Sequence, residues 1–108
     1  HVAKAHGCTA KFSYDRQYPT TVNHTKQYLF VGEVAKSLAG EANVEMNTPQ
    51  VMGAEDFSFM LQARPGAFIY LGNGDTAGLH HPEYDFNDEA IPHGISFFAE
   101  LVRKAMPS

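Results

Sequence analysis

The sequence lacks long hydrophobic runs and clustered positive charge, and these two absences exclude whole classes of partner. Its longest apolar stretches, such as residues 67–71, are far shorter than the roughly 20 residues that a membrane-spanning helix needs. Eight Lys and Arg stand against twelve Asp and Glu, for a net charge of -4, and the basic residues are scattered. Because a nucleic-acid groove needs several cations on one face, we expect neither nucleic acid nor membrane as a partner.

Cysteine and targeting signals are also scarce. Cys8 is the one cysteine, so no internal disulfide can form, which suits a reducing cytosol and predicts a cytoplasmic protein. The chain opens at His1 without a methionine or a signal-peptide pattern, and it resembles the end of a helix that stops at Gly7. We therefore expect an upstream part. The apolar fraction of 44% predicts one ordinary globular domain with a modest core.

Three segments have the pattern of strands. Residues 8–14 alternate apolar and polar side chains, which predicts a half-buried strand. Residues 67–71 form a continuous apolar run of the kind that is buried on both faces of a sheet. Residues 43–46 could form a third, short strand. Pro19 interrupts regular pairing after the first strand, so a domain boundary could fall near it.

Three further segments have helical periodicity. The first runs over residues 24–38 with Asn23 as a possible N-cap, the second follows Gly53, and the third runs over residues 88–106 with Asn87 as its cap. In the last, Pro92 predicts a bend or a tight opening turn. Its periodic apolar residues, which we expect to be buried, are Ile91, Ile95, Phe98, Leu101, Val102 and Ala105. Alternating helices and strands predict an α/β layer structure.

His80 and His81 are the first candidates for chemistry. They lie in a long loop, residues 72–86, after the predicted buried strand, and α/β proteins commonly place ligands at the carboxyl ends of strands. From position alone, a metal or catalytic role and simple exposure remain open alternatives. The other histidines lack partners at ligand spacing and are interpreted as ordinary surface or packing residues: His1, His6, His24 and His93.

A second candidate is the segment from Gly53 through Ala54 and Glu55 to Asp56, at a predicted helix start. Unpaired backbone N–H groups there suit a carboxylate guest, although acidic residues can also simply complement the helix dipole. No serine lies in a nucleophile-elbow pattern, no phosphate loop is present, and Cys8 has no paired histidine. Covalent catalysis and nucleotide binding are therefore not indicated.

Several motifs occur together in one order. They are residues 52–58 (MGAEDFS), 65–68 (PGAF), 71–72 (LG), 79–82 (LHHP) and 86–94 (FNDEAIPHG). This set resembles the C-terminal part of M20-family amidohydrolases, in the branch of hippurate hydrolases, N-acyl amino acid amidohydrolases and auxin-conjugate hydrolases. The resemblance covers almost the whole chain.

The resemblance implies a fold and a domain division. Residues 1–20 would be the end of a lid or dimerisation domain, including its last strand. Residues 21–108 would be the C-terminal segment of an α/β catalytic domain of the zinc-peptidase type, with helices packed on a mixed sheet. The complete protein would be a homodimer that binds small N-acyl amino acids or peptide-like substrates.

The resemblance also implies a metal centre. His80 aligns with a metal ligand of the family, residues Gly53, Ala54 and Glu55 with its substrate-facing loop, and the chemistry would be amide hydrolysis at two divalent ions, zinc or manganese. The general base and the other ligands have no counterpart here, so no catalytic residue is expected within the chain and the chain alone is predicted to be inactive. The alternative is a non-enzymatic α/β binding or structural module.

Overall fold

Helices supply the regular structure of this chain. The structure, a computed structural model, describes residues 1–107, and Ser108, the last residue of the predicted catalytic segment, lies outside the described residues. The helices are α1 (Val2–Ala5), α2 (Thr25–Ala39), a short 3-10 helix (Glu41–Asn43), α3 (Phe57–Ala63) and α4 (Ala90–Ala105).

The ends of α1 and α4 follow the sequence signals. Gly7 has a φ of 65°, and the Cys8 N–H donates to the Ala3 carbonyl at 2.8 Å, so α1 ends in the predicted left-handed glycine turn. At the start of α4, the Ala90 N–H donates to the Asn87 carbonyl at 2.9 Å, an i to i-3 bond. This is the tight opening turn that Pro92 predicts.

α2 and α4 pack against each other around a small core. Val34 of α2 is fully buried, and Ala90 of α4 is 7% exposed. The Lys104 Nζ donates to the Ser37 Oγ at 2.9 Å and links the C-terminal ends of the two helices. Leu61 of α3 is the other buried apolar side chain within residues 1–107.

The predicted buried face of α4 is largely wrong. Ile95 and Phe98 are each 65% exposed, and Ile91 and Val102 are also exposed. The half-buried residues lie instead on the neighbouring face of the helix, the face of Ala90. They include Phe97 and Leu101. The periodicity identified an apolar stripe correctly, but nothing among residues 1–107 covers it.

The predicted strands are not formed within residues 1–107. Residues 8–14 have no regular secondary structure, and Phe12 is 85% exposed with its ring stacked on Tyr14 at 6.0 Å. The third prediction, residues 43–46, is wrong because the 3-10 helix Glu41–Asn43 and a bend occupy that region. A strand is defined by hydrogen bonds to a neighbour, and the described residues supply no neighbouring strand to these segments.

Side chains take the place of a neighbouring strand beside residues 67–71. The Asn23 Nδ2 donates to the Phe68 carbonyl at 2.8 Å, and its Oδ1 accepts from the Phe68 N–H at 2.7 Å. The His24 N–H donates to the Gly66 carbonyl at 3.1 Å, while the His24 Nδ1 accepts from the Gly66 N–H at 3.2 Å. Asn23 is therefore a tether between α2 and the predicted inner strand, and not the helix cap predicted from the sequence.

Substituting Asn23 with alanine tests this tether. The change leaves the N–H and C=O of Phe68 without their partner, and we expect the Phe68 amide proton to exchange roughly tenfold faster, the effect of about 1.4 kcal/mol. Asn23→Asp retains the acceptor and should have a smaller effect. Amide hydrogen exchange measures both, with Asn47→Ala as the control because Asn47 is exposed and its side chain forms no hydrogen bond within residues 1–107. An unchanged rate in Asn23→Ala would show that the tether is absent.

The chain does not close into the single compact domain that its composition predicts. Its radius of gyration is 19.9 Å, whereas a compact domain of this length has about 13 Å. Its extents are 69 × 35 × 21 Å. Over residues 1–107, no helix combines the length and the apolar character that crossing a membrane requires.

Candidate metal-ligand loop

The histidine pair lies on two successive turns of the loop between residues 67–71 and α4. In the first turn the His81 N–H donates to the Gly78 carbonyl at 3.1 Å, and His80 is its third residue. His80 has a φ of 68°, as the third position of a type II turn requires. Within residues 1–107 it is the one residue other than glycine with a left-handed backbone.

His81 holds the second turn together. Its carbonyl accepts the Tyr84 N–H at 3.0 Å, and Pro82 occupies the second position, which proline favours. The His81 Nδ1 accepts the Glu83 N–H at 3.1 Å, so this nitrogen carries no proton in this arrangement. The ring of His81 is therefore part of the loop's own structure.

The two histidines thus differ in how many ring nitrogens are available to a ligand. The His80 side chain is exposed and forms no hydrogen bond within residues 1–107, so both ring nitrogens are open to a ligand. A left-handed backbone costs a residue with a Cβ about 1–2 kcal/mol, and such strain is concentrated at functional sites. Position, freedom and strain all favour His80 over His81 as the functional residue.

A side-chain clamp closes the loop at its base. The Asn73 Nδ2 donates to the Asp85 carbonyl at 3.0 Å, and the Asn73 Oδ1 accepts the Asn87 N–H at 2.9 Å. The Asn87 Oδ1 in turn accepts the Glu89 N–H at 3.0 Å beside the start of α4. Asn87 therefore lies just before α4 and receives the clamp, but it is not the cap predicted from the sequence, because Glu89 occupies the cap position.

The loop offers one candidate metal ligand, the imidazole of His80. Among residues 1–107, no three His, Cys, Asp or Glu side chains are close enough to hold a metal ion together. An unengaged imidazole on a rigid turn fits a zinc or manganese ion as a single ligand. A protein site for such an ion normally supplies three or more ligands, so the others would have to come from outside these residues.

The candidate substrate loop precedes α3 and is partly engaged. Gly53 and Ala54 are exposed, whereas the Glu55 Oε1 accepts the Phe57 N–H at 3.1 Å. The Glu55 carbonyl also accepts the Ser58 N–H at 3.1 Å. Residues Glu55 and Asp56 lie just before α3 and not in its first turn, so their acidic side chains do not complement the helix dipole from within the helix. No hydrogen bond within residues 1–107 joins this segment to the His80 loop.

Sequence reasoning missed three residues that fix these elements. From the sequence, Asn73 has no predicted role, Asn23 is a predicted cap, and His24 is interpreted as an ordinary histidine. Each binds backbone groups that lie 12 to 45 positions away in the chain. Periodicity and short motifs report only near neighbours, and the adjacent pair Asn73 and Gly74 carried the one local signal. Gly74 has a φ of 87°, so a turn was foreseeable there but its partner was not.

Comparisons with known proteins confirm the family resemblance. Residues 4–104 match the model of peptidase family M20/M25/M40. Hippurate hydrolase of Campylobacter jejuni is 34% identical over 103 residues, which are 95% of this chain and 27% of that protein. IAA-amino acid hydrolase ILR1-like 5 of Arabidopsis thaliana is 35% identical over 92 residues, 81% of this chain and 21% of that protein. N-acetylcysteine deacetylase of Bacillus subtilis is 27% identical over 100 residues, 93% and 26% respectively.

The extent of these matches is as informative as their names. The chain spans about a quarter of the length of the curated relatives, since the aligned part covers 21% to 27% of each. No solved structure matches it significantly.

Proposed function

The chain belongs to peptidase family M20/M25/M40, and we propose that it is the C-terminal part of a metal-dependent amidohydrolase that cleaves N-acyl amino acids or related small amides. The observation that carries the proposal is His80, a free imidazole on the one left-handed non-glycine residue of the described chain. The relatives' names, hippurate hydrolase and IAA-amino acid hydrolase, support the substrate class. We call the polypeptide that would contain this chain the complete hydrolase.

His80 is proposed to be one metal ligand of a centre that holds two divalent ions, zinc or manganese. When bound, such ions polarise the scissile carbonyl and generate a nucleophile from water. His80 contributes a neutral nitrogen from a backbone turn that the surrounding hydrogen bonds hold in place. The remaining ligands and the general base are proposed to lie outside these 108 residues, so the chain alone is inactive.

Residues Gly53, Ala54 and Glu55 are proposed to form the substrate-facing loop. The N–H groups of Gly53 and Ala54 donate no hydrogen bond within residues 1–107 and are therefore available to a substrate. Glu55 uses its carboxylate to fix the start of α3, so its proposed part is to hold the loop in shape.

The open architecture supports the proposed domain division. Residues 1–20 would end the lid or dimerisation domain, and residues 21–108 would complete the catalytic domain. The unpaired segment 8–14 and the tethered segment 67–71 would join strands of the lid and of a mixed catalytic sheet. A cytoplasmic homodimer formed through the lid is proposed from the resemblance.

Substrate hydrolysis by the complete hydrolase is the decisive test. We expect release of free amino acid from hippurate, from an IAA–amino acid conjugate or from N-acetylcysteine, measured by amine detection. Removing the metal with a chelator should abolish the activity, and adding back zinc or manganese should restore it. The 108-residue chain, as the control, should release none. Amide hydrolysis that survives complete metal removal would reject the proposal, as would activity of the 108-residue chain alone.

A further inference from the structure

Asn73 is the one described side chain that ties the start of the His80 loop to its end. Its amide binds both the Asp85 carbonyl and the Asn87 N–H, which lie 12 and 14 positions away. Both bonds lie at the surface, although the Asn73 residue itself is half-buried. One planar amide group satisfies a carbonyl and an N–H together. It therefore fixes both the separation and the relative direction of the two ends of the loop.

A continuous series of hydrogen bonds connects this clamp to His80. Asp85 follows Tyr84, whose N–H donates to the His81 carbonyl at 3.0 Å. The His81 N–H closes the turn that contains His80, through its 3.1 Å bond to Gly78. The segment that runs from the clamp to His80 is therefore two successive hydrogen-bonded turns, which join the clamp through the backbone of Tyr84 and Asp85.

We propose that Asn73 is a positioning residue of the metal centre, which sets the direction of the His80 imidazole by clamping the loop against the start of α4. This inference rests on the proposed function of His80 as a ligand. Residues that orient a ligand through hydrogen bonds typically change metal affinity or activity by 10–100-fold when they are replaced. Asn73 touches neither metal nor substrate in this scheme and acts only through the backbone.

The test uses the complete hydrolase and cobalt(II) as the probe. We expect Asn73→Ala to weaken cobalt binding by about 10–100-fold and to change the visible absorption of the bound ion, because the geometry of one ligand changes. Asn73→Asp retains the acceptor for the Asn87 N–H but sets a carboxylate oxygen against the Asp85 carbonyl, where two acceptors repel, so it should also open the clamp and weaken cobalt binding. Asn47→Ala is the matched control, since that side chain forms no hydrogen bond within residues 1–107.

A double substitution separates this inference from the proposed function. If Asn73 acts through His80, adding Asn73→Ala to His80→Ala should leave the affinity and spectrum of the remaining cobalt ion the same as in His80→Ala. Wild-type affinity and spectrum in Asn73→Ala, together with lost binding in His80→Ala, would overturn the inference about Asn73 and leave the proposed function standing. Unchanged metal binding and turnover in His80→Ala would instead remove the proposed function itself. A fall in melting temperature without any change in spectrum or affinity would show a purely structural role and also overturn the inference.

Discussion

Replacing His80 with alanine in the complete hydrolase is expected to remove one of the two proposed metal ions and to lower kcat/KM by more than about 100-fold. The size follows from the chemistry, because losing a residue that merely orients a ligand already costs 10–100-fold and losing the ligand costs more. Metal content per chain measured by mass spectrometry, together with steady-state kinetics, checks both parts. Full metal content with unchanged turnover would contradict the assignment of His80.

His80→Gly distinguishes the ligand from the strained backbone on which it lies. Alanine at the φ of 68° keeps the left-handed penalty, whereas glycine removes it. We therefore expect the free energy of unfolding of His80→Gly to be about 1 kcal/mol higher than that of His80→Ala. Both variants should be equally inactive. His93→Ala is the matched control, since His93 is exposed on α4 and forms no hydrogen bond within residues 1–107. Activity regained in His80→Gly would mean that backbone shape, and not the imidazole, is the loop's contribution.

The sequence was sufficient where the cause of a structure is local. The end of α1 at Gly7 and the tight start of α4 before Pro92 depend on the conformational preferences of single residues, and both were predicted. The choice of His80 over His81 came from the family resemblance. The structure adds a physical contrast, because the ring of His81 is engaged by the Glu83 N–H and that of His80 is not.

The sequence was insufficient where the cause of a structure lies far along the chain. Alternation in residues 8–14 indicates which side chains share a face, but a strand needs a hydrogen-bonding neighbour that no pattern within the strand specifies. The Asn23 and Asn73 amides each bind backbone more than ten positions away, and neither bond leaves a periodic signal. The Asn73 bonds close the base of the candidate ligand loop, and the Asn23 bonds hold the segment that precedes it.

The apolar stripe of α4 leads to a prediction that differs between the 108-residue chain and the complete hydrolase. Ile91, Ile95, Phe98 and Val102 recur at spacings of three and four, so they form one face of the helix, and all four are exposed. The adjacent face packs on α2, and Ser96 lies on the remaining, polar side. A contiguous exposed stripe of this kind marks a surface that another element covers. If the chain is part of a protein about four times its length, as its relatives are, the rest of the catalytic domain of that protein covers this stripe.

Phe98→Ala should therefore have opposite effects in the chain and in the complete hydrolase. In the 108-residue chain, circular dichroism should show helix content that is unchanged or slightly higher, because alanine has the greater helix propensity and the Phe98 ring is mostly in water. In the complete hydrolase the same change should lower the free energy of unfolding in urea by about 3–5 kcal/mol, the cost of emptying a buried phenylalanine site. Ser96→Ala should change the free energy of unfolding by less than about 0.5 kcal/mol. Equal, small effects of Phe98→Ala in both proteins would mean that the stripe remains in water, and that the remainder of the domain does not pack on α4.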